Sequence, residues 1–335
     1  MEILYEYINI IYTNFFNPQK RVFIGYLLSA VSISLIWLIF LKKKKTIEAL
    51  KYIFNKKIFL SKSSLADYTM FLINTIIMIF LSPILISQLA IANIIFELLH
   101  LQSMIIPLEV SVNLIWTLPI LFTLTYFIFD DFTKYITHAL MHKIPILWEI
   151  HKTHHSARTL TPITVFRTHP IEGVIFILRS SLTQGIIIAI FYFIYGDNIN
   201  LVTIVGANIF SFWFHLFGSN LRHSHIRINY WPWLEKILIS PAQHQIHHST
   251  KKLHFDKNFG VTFAIWDFFF GSLYLSNKDE QINFGISDKI KSNENNILYL
   301  YISPFLGMYK IITNYFLIKY QSNKLKYKEC HNEKP

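Results

Sequence analysis

The run Val22–Leu41, VFIGYLLSAVSISLIWLIFL, holds 20 predominantly apolar residues and no charge. Coiled as a helix, it is long enough to cross the roughly 30 Å of hydrocarbon in a bilayer. It starts too late for a secretory signal and lacks a small-residue cleavage site, so it reads as a retained first span. Lys42–Ser64 follows with eight Lys and one Glu. Under the positive-inside rule this marks a cytoplasmic loop and puts the N-terminus outside.

Outward from that run, no Lys or Arg occurs between Ser63 and Thr133. Within this stretch Tyr68 to about Gln88 and Asn113 to about Asp130 are long enough to span. Ile91–Ile106, which carries Glu97 and His100, reads as interfacial or partly inserted. A second out-and-back pair comprises Gly173–Tyr195 and Ile199 to about Phe217, joined by Gly196-Asp197-Asn198, with Arg179 placed to snorkel. Ile297–Ile318 is interrupted by Pro304 and Lys310 and reads as an interfacial or docking helix, followed by a Lys-rich tail that frays. The expectation is an all-α, polytopic membrane protein with four core transmembrane helices, an N-terminal span and a cytoplasmic helical cap. Its regions are 1–64, 65–292 and 293–335, the last being the C-terminal helix and basic tail.

Composition agrees. Hydrophobic residues make up 53% and charged residues 15% of 335, with mean hydropathy +0.37, which excludes disorder and disfavours an ordinary soluble globule. The formal charge of +11 comes from basic residues flanking apolar stretches, which points to anionic lipid and not to nucleic acid. A lone cysteine, Cys330, rules out a disulfide framework or a Cys-based zinc site.

Thirteen of the 15 histidines lie between His138 and His254. His138-Ala-Leu-Met-His142 sets two imidazoles at i, i+4 on one helical face. His151-Lys-Thr-His154-His155 and His244-Gln-Ile-His247-His248 each set three at i, i+3, i+4. Adjacent histidines on a helix point about 100° apart, so such a triplet can serve two neighbouring ions. Eight clustered imidazoles exceed what one ion can bind, and imidazole suits Zn, Cu, Fe and Ni alike. Glu97-Leu-Leu-His100 has the Glu-x-x-His spacing of carboxylate di-iron bundles, but only one copy occurs and it reads as incidental. His100, His254 and His331 read as ordinary histidines satisfied by a hydrogen bond.

These residues resemble the integral-membrane fatty acid hydroxylase, or sterol desaturase, superfamily. The resemblance runs from about Phe122 to Tyr274 and rests on an ordered series of motifs. They are Asp131-Phe-x-x-Tyr135-x-x-His138-x-x-x-His142, His151-x-x-His154-His155, Arg167-Thr-His169-Pro170-x-Glu172, Asn220-Leu-Arg-His223, Ser240-Pro241-Ala-Gln-His244-x-x-His247-His248, Asp256-x-Asn258-Phe-Gly260 and Trp266-Asp267-x-x-Phe270-Gly271. It implies a non-haem di-iron oxygenase acting on a membrane lipid C–H bond with O2 as co-substrate, by hydroxylation or desaturation. The implied ligands are His138, His142, His151, His154, His155, His223, His244, His247 and His248. Where some members carry a second histidine one turn before His223, this chain has Ser219, leaving that position to water, His215 or His225.

Zinc could replace the two irons, since imidazole sites exclude it weakly. Asp131, two turns before His138 on its face, is the candidate to accept a ligand N–H, its other reading being a helix or interface charge; His169 reads as orienting a ligand or capping the loop at Pro170, and Asp267 and Asn258 as similar acceptors or, in preference, as loop-fixing residues. Substrate would enter from the bilayer past aromatics such as Phe212, Trp213, Phe214, Trp231 and Trp233, most of which also suit an interfacial belt. Electrons would come from a separate cytoplasmic donor docking near Lys251, Lys252 and Lys257. Residues around Glu235, Pro241 and Asp256 are similar to those of ether-lipid cleaving members. Two other readings, a His-rich metal transporter and a bis-His haem electron carrier, would need His and Asp within the spans or leave most of the histidines unused.

Overall fold

The computed structural model describes residues 1–102, 112–196, 209–277, 280–286 and 293–332. All regular elements among them are helical. They are α1 (Glu2–Phe16), α2 (Ile24–Ile36, prolonged by a π turn over Trp37–Leu41), α3 (Thr46–Ile53), α4 (Lys56–Phe59), α5 (Lys62–Leu81) and α6 (Gln88–Gln102). After these come α7 (Val112–Lys143), α8 (Pro145–His155), α9 (Pro170–Tyr195), α10 (Ile209–Leu216), α11 (Pro241–His247), α12 (Ile265–Phe269) and α13 (Ile297–Asn332). The Asp197-Asn198 connector and the start of the helix expected from Ile199 lie outside the described residues, as do 287–292 at the expected boundary before the C-terminal helix.

Among the described residues, three stretches are long and apolar enough to cross a membrane: Ile24–Leu41, Lys62–Leu99 and Pro170–Tyr195. The protein is thus membrane-embedded. In the second stretch Pro83 sits in a single 3-10 turn, Ser82–Ile84, between α5 and α6; its ring and missing N–H end the first helix there. α6 was expected to be interfacial or partly inserted. It instead packs along α9, burying Ile91 and Ala92. That contact is backbone-close at Gly185, where a Cβ would stand 2.7 Å from Ile91 and 2.8 Å from the Gln88 carbonyl. Phe122, Tyr126, Ile187, Ile188 and Phe191 complete this core.

α7 does not stop at Asp130. It runs on to Lys143, so His138 and His142 ride on the end of the same helix. Arg179 of α9, expected to snorkel, pairs with Asp130 at 2.7 Å and donates to Thr133. A charge left on a lipid-facing helix would be expensive, and the ion pair between neighbouring helices removes that cost.

The cap over the helix ends is tied by a fully buried ion pair. Arg167 donates to Asp67 of α5 at 2.9 Å, to the Ser63 carbonyl and to Ser156 Oγ, and it also reaches the Glu294 carbonyl. Such a guanidinium is tolerable only because its donors are matched. α13 docks on α8 and α5, with Leu300 buried against Ala66 and Met70 and the Tyr301 hydroxyl donating to Asn74. Its backbone stays helical to Asn332, through the tail expected to fray.

One topological expectation is overturned. Val22–Leu41 was read as crossing inward from an external N-terminus, with the histidine boxes on the opposite side from Arg21. In the structure the Arg21 carbonyl accepts from Asn220, and the Arg21 guanidinium lies 3.3 Å from His223. Ala30 and Leu38 pack with Leu221, Ile226 and Ile228, so α2 lies along the His-bearing segment. The charge rule misled because basic residues flank both ends of this helix, Lys20 and Arg21 before it and Lys42–Lys45 after it.

With Cys330 replaced by Ser, single cysteines at the exposed positions Gln19 and Lys252 should label from the same side of sealed vesicles. Labelling from opposite sides would contradict this packing.

Candidate metal centre

The local chain conformation explains how the histidines converge. α8 starts on Pro145 and ends on His155, α9 starts on Pro170 after the His169 cap, and α11 starts on Pro241 inside a Ser240–Gln243 capping box. Proline at a first helical position and a capping box both define where a helix begins, so the phase of each histidine triplet is set by its helix start.

Two groups result. His138, His142, His151, His155 and His247 form one, and His154, His223, His244 and His248 the other; within each, one nitrogen per residue lies within 4.8 Å of all the rest. Each HxxHH box is split between the groups. The groups touch, His155 stacking on His248 at 4.5 Å between ring centroids.

Hydrogen bonds settle which nitrogen faces inward. Nδ1 of His138 lies 2.7 Å from the Phe259 carbonyl, that of His247 2.8 Å from the Lys257 carbonyl, that of His154 3.3 Å from the Arg167 carbonyl, and that of His151 2.9 Å from Glu172 Oε1. Each acceptor requires a proton on Nδ1, leaving the Nε2 lone pair free for an ion. Nε2 of His142, His151, His155 and His247 is buried with no partner. In the other group the His223 Nε2 lies 3.1 Å from that of His154 and 3.0 Å from that of His244.

Burial, reinforced by neighbouring imidazoles, holds His154, His155, His223, His244 and His248 well below the usual histidine range. Burial lowers His247 to about 3. These six imidazoles are therefore neutral, the form that binds metal. Orphaned inward lone pairs on neutral rings are what a pair of first-row metal ions would satisfy.

Of the supporting carboxylates, Asp131 does not take the expected ligand N–H, whereas Asp267 fixes a loop. Asp131 accepts from Thr262 N, Phe263 N and the Trp266 indole and from no histidine; it pins the loop after Gly260 to α7. Helical periodicity placed it on the His138 face but could not show which distant segment would arrive there. Asp267, raised to about 6 by burial, accepts from the Phe259 and Gly260 amides and from Ser272. It thereby holds the peptide whose carbonyl receives His138. His169 caps α9 through Ile171 N, its Nε2 lies 3.2 Å from the Tyr301 carbonyl, and it bonds to no clustered histidine.

Asn258, at φ 57°, bonds to the Gln243 and Tyr274 backbones and shapes the same loop. Glu172 is the carboxylate hydrogen-bonded to His151, and Asp256 stands 3.9 Å from Nδ1 of His142. Glu172 was visible inside the Arg167–Glu172 motif, three residues into a helix opened by proline, without a role assigned.

Neither His215 nor His225, the two histidines considered for a further ligand, joins either group. Ser219 Oγ and His215 Nδ1 bond to each other at 2.7 Å, and His225 bonds to the Tyr52 carbonyl. Glu97 is exposed on α6, and the side chains of His100 and His331 lie outside the described residues. His254 meets Glu280 at 2.9 Å.

A cavity of about 380 Å³ opens beside the centre, reaching His138, His151, His154, His223 and His244. Phe127, Val165, Phe176 and Phe214 wall it. Of the aromatics expected to line an apolar slot, Phe214 does so, whereas Trp213, Trp231 and Trp233 are exposed in the manner of an interfacial belt.

Residues 123–272 match the model of the fatty acid hydroxylase family. That stretch is similar to a fatty acid hydroxylase domain. It is similar to alkylglycerol monooxygenase of Homo sapiens, 29% identical over 49% of this chain and 33% of that protein. It is also similar to a Delta(7)-sterol 5(6)-desaturase of Gibberella zeae (26%, over 47% and 43%) and an ornithine lipid hydroxylase of Rhizobium tropici (26%, over 48% and 44%). The chain thus spans about a third of the alkylglycerol monooxygenases it matches. No solved structure matches it. All nine clustered histidines fall inside the matched stretch, whereas α1 to α6 and α13 lie outside it.

Elemental analysis of the purified protein should give two metal ions per chain, and His154→Ala or His247→Ala should each lower that number. Glu172→Ala should weaken metal retention against a chelator by about 10–100-fold. Glu97→Ala on the exposed face of α6 should leave it unchanged.

Proposed function

We propose that the protein is a membrane-bound di-iron oxygenase that oxidises a lipid C–H bond with O2, by hydroxylation in preference to desaturation. The observation that carries this reading is the pair of touching groups of imidazoles against an aromatic-walled cavity. His138, His142, His151, His155 and His247 would hold one ion, and His154, His223, His244 and His248 the other, with zinc able to replace iron. The two irons supply the redox chemistry that activates O2, which side chains cannot do alone.

The chain's own residues do the rest. Glu172 and the carbonyls of Arg167, Lys257 and Phe259 keep the Nδ1 protons and hold the rings in place. Phe127, Phe176 and Phe214 exclude water and receive an apolar chain. Hydroxylation and desaturation share the same first hydrogen abstraction and differ in how the chain is then held. The relatives include both a hydroxylase and a desaturase by name.

Electrons would reach the centre from a separate cytoplasmic carrier, the histidine boxes facing that side. Lys252 is exposed near the last box, whereas Lys251 pairs with Glu280 and Lys257 donates to the Gly271 carbonyl. A transporter reading does not use the closed packing of nine imidazoles. A bis-His haem would need an open plane between two rings, and here imidazoles close on one another from all sides.

Lipids extracted from cells with the intact chain, grown under ¹⁸O2, should contain a labelled product that is absent from cells carrying His247→Ala. An unlabelled product lighter by two hydrogens would establish desaturation instead. No difference between the two strains would refute the oxygenase.

A further inference from the structure

The histidine centre's cavity has a wall that the metal chemistry leaves unused. Arg21 and Arg222 both line it, together with His215. Arg222 is buried, with its guanidinium over the Phe214 ring at 4.9 Å, and it donates to the Ser219 and Val261 carbonyls. Arg21 enters from the turn before α2 and has no carboxylate partner among the described residues; its Nε is buried without a hydrogen bond.

The acids on the same cavity are already engaged. Asp130 is bonded to Lys134 and Arg179, Asp131 to two amides and an indole, and Glu172 to His151.

The nearest polar neighbour of Arg21 sharpens the point. Its Nη2 lies 3.3 Å from Nδ1 of His223. The His223 Nε2 is turned towards His154 and His244, so in the neutral, metal-binding ring Nδ1 carries the proton. Guanidinium and imidazole then present donors to each other. An oxyanion between them would accept from both and would offset the like charges of Arg21 and Arg222.

Resting on the oxygenase reading above, we propose that the cavity takes a lipid with a phosphate headgroup, bound by Arg21 and Arg222, while its chain lies among Phe127, Phe176 and Phe214. Phosphate fits this wall because its several oxygens can accept from two separate guanidiniums at once. A headgroup held at Arg21 lies against His223. The bonds presented to the histidine centre are then those next to the headgroup, and oxidation falls there and not at mid-chain.

The test is binding to the full metal-loaded chain in neutral phosphatidylcholine nanodiscs. Three probes separate the sources of affinity: 1-oleoyl lysophosphatidate, monooleoylglycerol with the same chain and no phosphate, and inorganic phosphate with no chain. Lysophosphatidate should bind at least 10-fold tighter than either of the others. Arg21→Gln should abolish that preference, Arg21→Lys should restore part of it, and Lys252→Gln, which removes an exposed positive charge elsewhere, should leave it intact.

Equal binding of monooleoylglycerol, equal binding of inorganic phosphate, or a preference that survives Arg21→Gln would each overturn the proposal. Full metal content in the Arg21 variants keeps a folding failure distinct from a lost headgroup site. Retained ¹⁸O incorporation without a phosphate preference refutes this inference alone. A phosphate preference with neither ¹⁸O incorporation nor a product lighter by two hydrogens refutes the oxygenase reading and leaves the headgroup site standing.

Discussion

Nine imidazoles cannot be buried side by side unless each has somewhere to put its proton and something to do with its lone pair. That requirement organises the molecule. Protonation of His154, His155, His223, His244, His247 and His248 is suppressed because a buried charge among like neighbours would cost too much. Each neutral ring then needs one acceptor and one electrophile. The acceptors with resolved geometry lie on the periphery, at Glu172 and at three backbone carbonyls, which turns Nε2 inward on His138, His151, His154 and His247. Metal affinity follows from this arrangement of protons as much as from the number of histidines.

The rest of the cap serves those acceptors. Phe259 and Lys257 sit in a loop that no regular element stabilises, so it is pinned from three directions. Asp267 binds the 259 and 260 amides, Asn258 bridges Gln243 and Tyr274, and Asp131 takes the 262 and 263 amides onto α7. The Arg167 carbonyl that receives His154 is held in turn because its own side chain is locked into Asp67 and Ser63 of α5 and reaches the backbone at Glu294. A carboxylate one bond removed from the metal centre thus does positional work that the same carboxylate could not do from solvent.

Helical spacing made much of the site legible. HxxxH on α7 and the two HxxHH boxes declare shared faces, and the 100° offset within each triplet anticipates the division into two groups. What spacing cannot carry is a backbone acceptor, since a carbonyl has no residue type, or a partner distant in the chain. Asp131 was therefore matched to the wrong partner. Glu172 was quoted within a motif and given no role. The link between Arg21 and His223 crosses 202 positions. The placement of α2 was misread for a related reason: basic residues stand at both of its ends, and flanking charge does not reveal that Ala30 and Leu38 pack on Leu221, Ile226 and Ile228.

The division of labour between the two parts of the chain bears on how its substrate is chosen. The hydroxylase-like stretch, 123–272, contributes every clustered histidine, the acids that fix the 257–263 loop, and Arg222. Arg21 comes from a turn about a hundred residues before that stretch begins, carried in by the packing of α2 along the cap. A segment that touches the cavity wall while holding no metal ligand can change without disturbing the protons and lone pairs on which the centre depends. Headgroup recognition placed there separates which lipid is admitted from how it is oxidised. The aromatic walls accept any chain of suitable width. A charged anchor beside His223 is what would decide how deep that chain sits, because an ion pair in a partly desolvated cavity resists the sliding that apolar contacts permit.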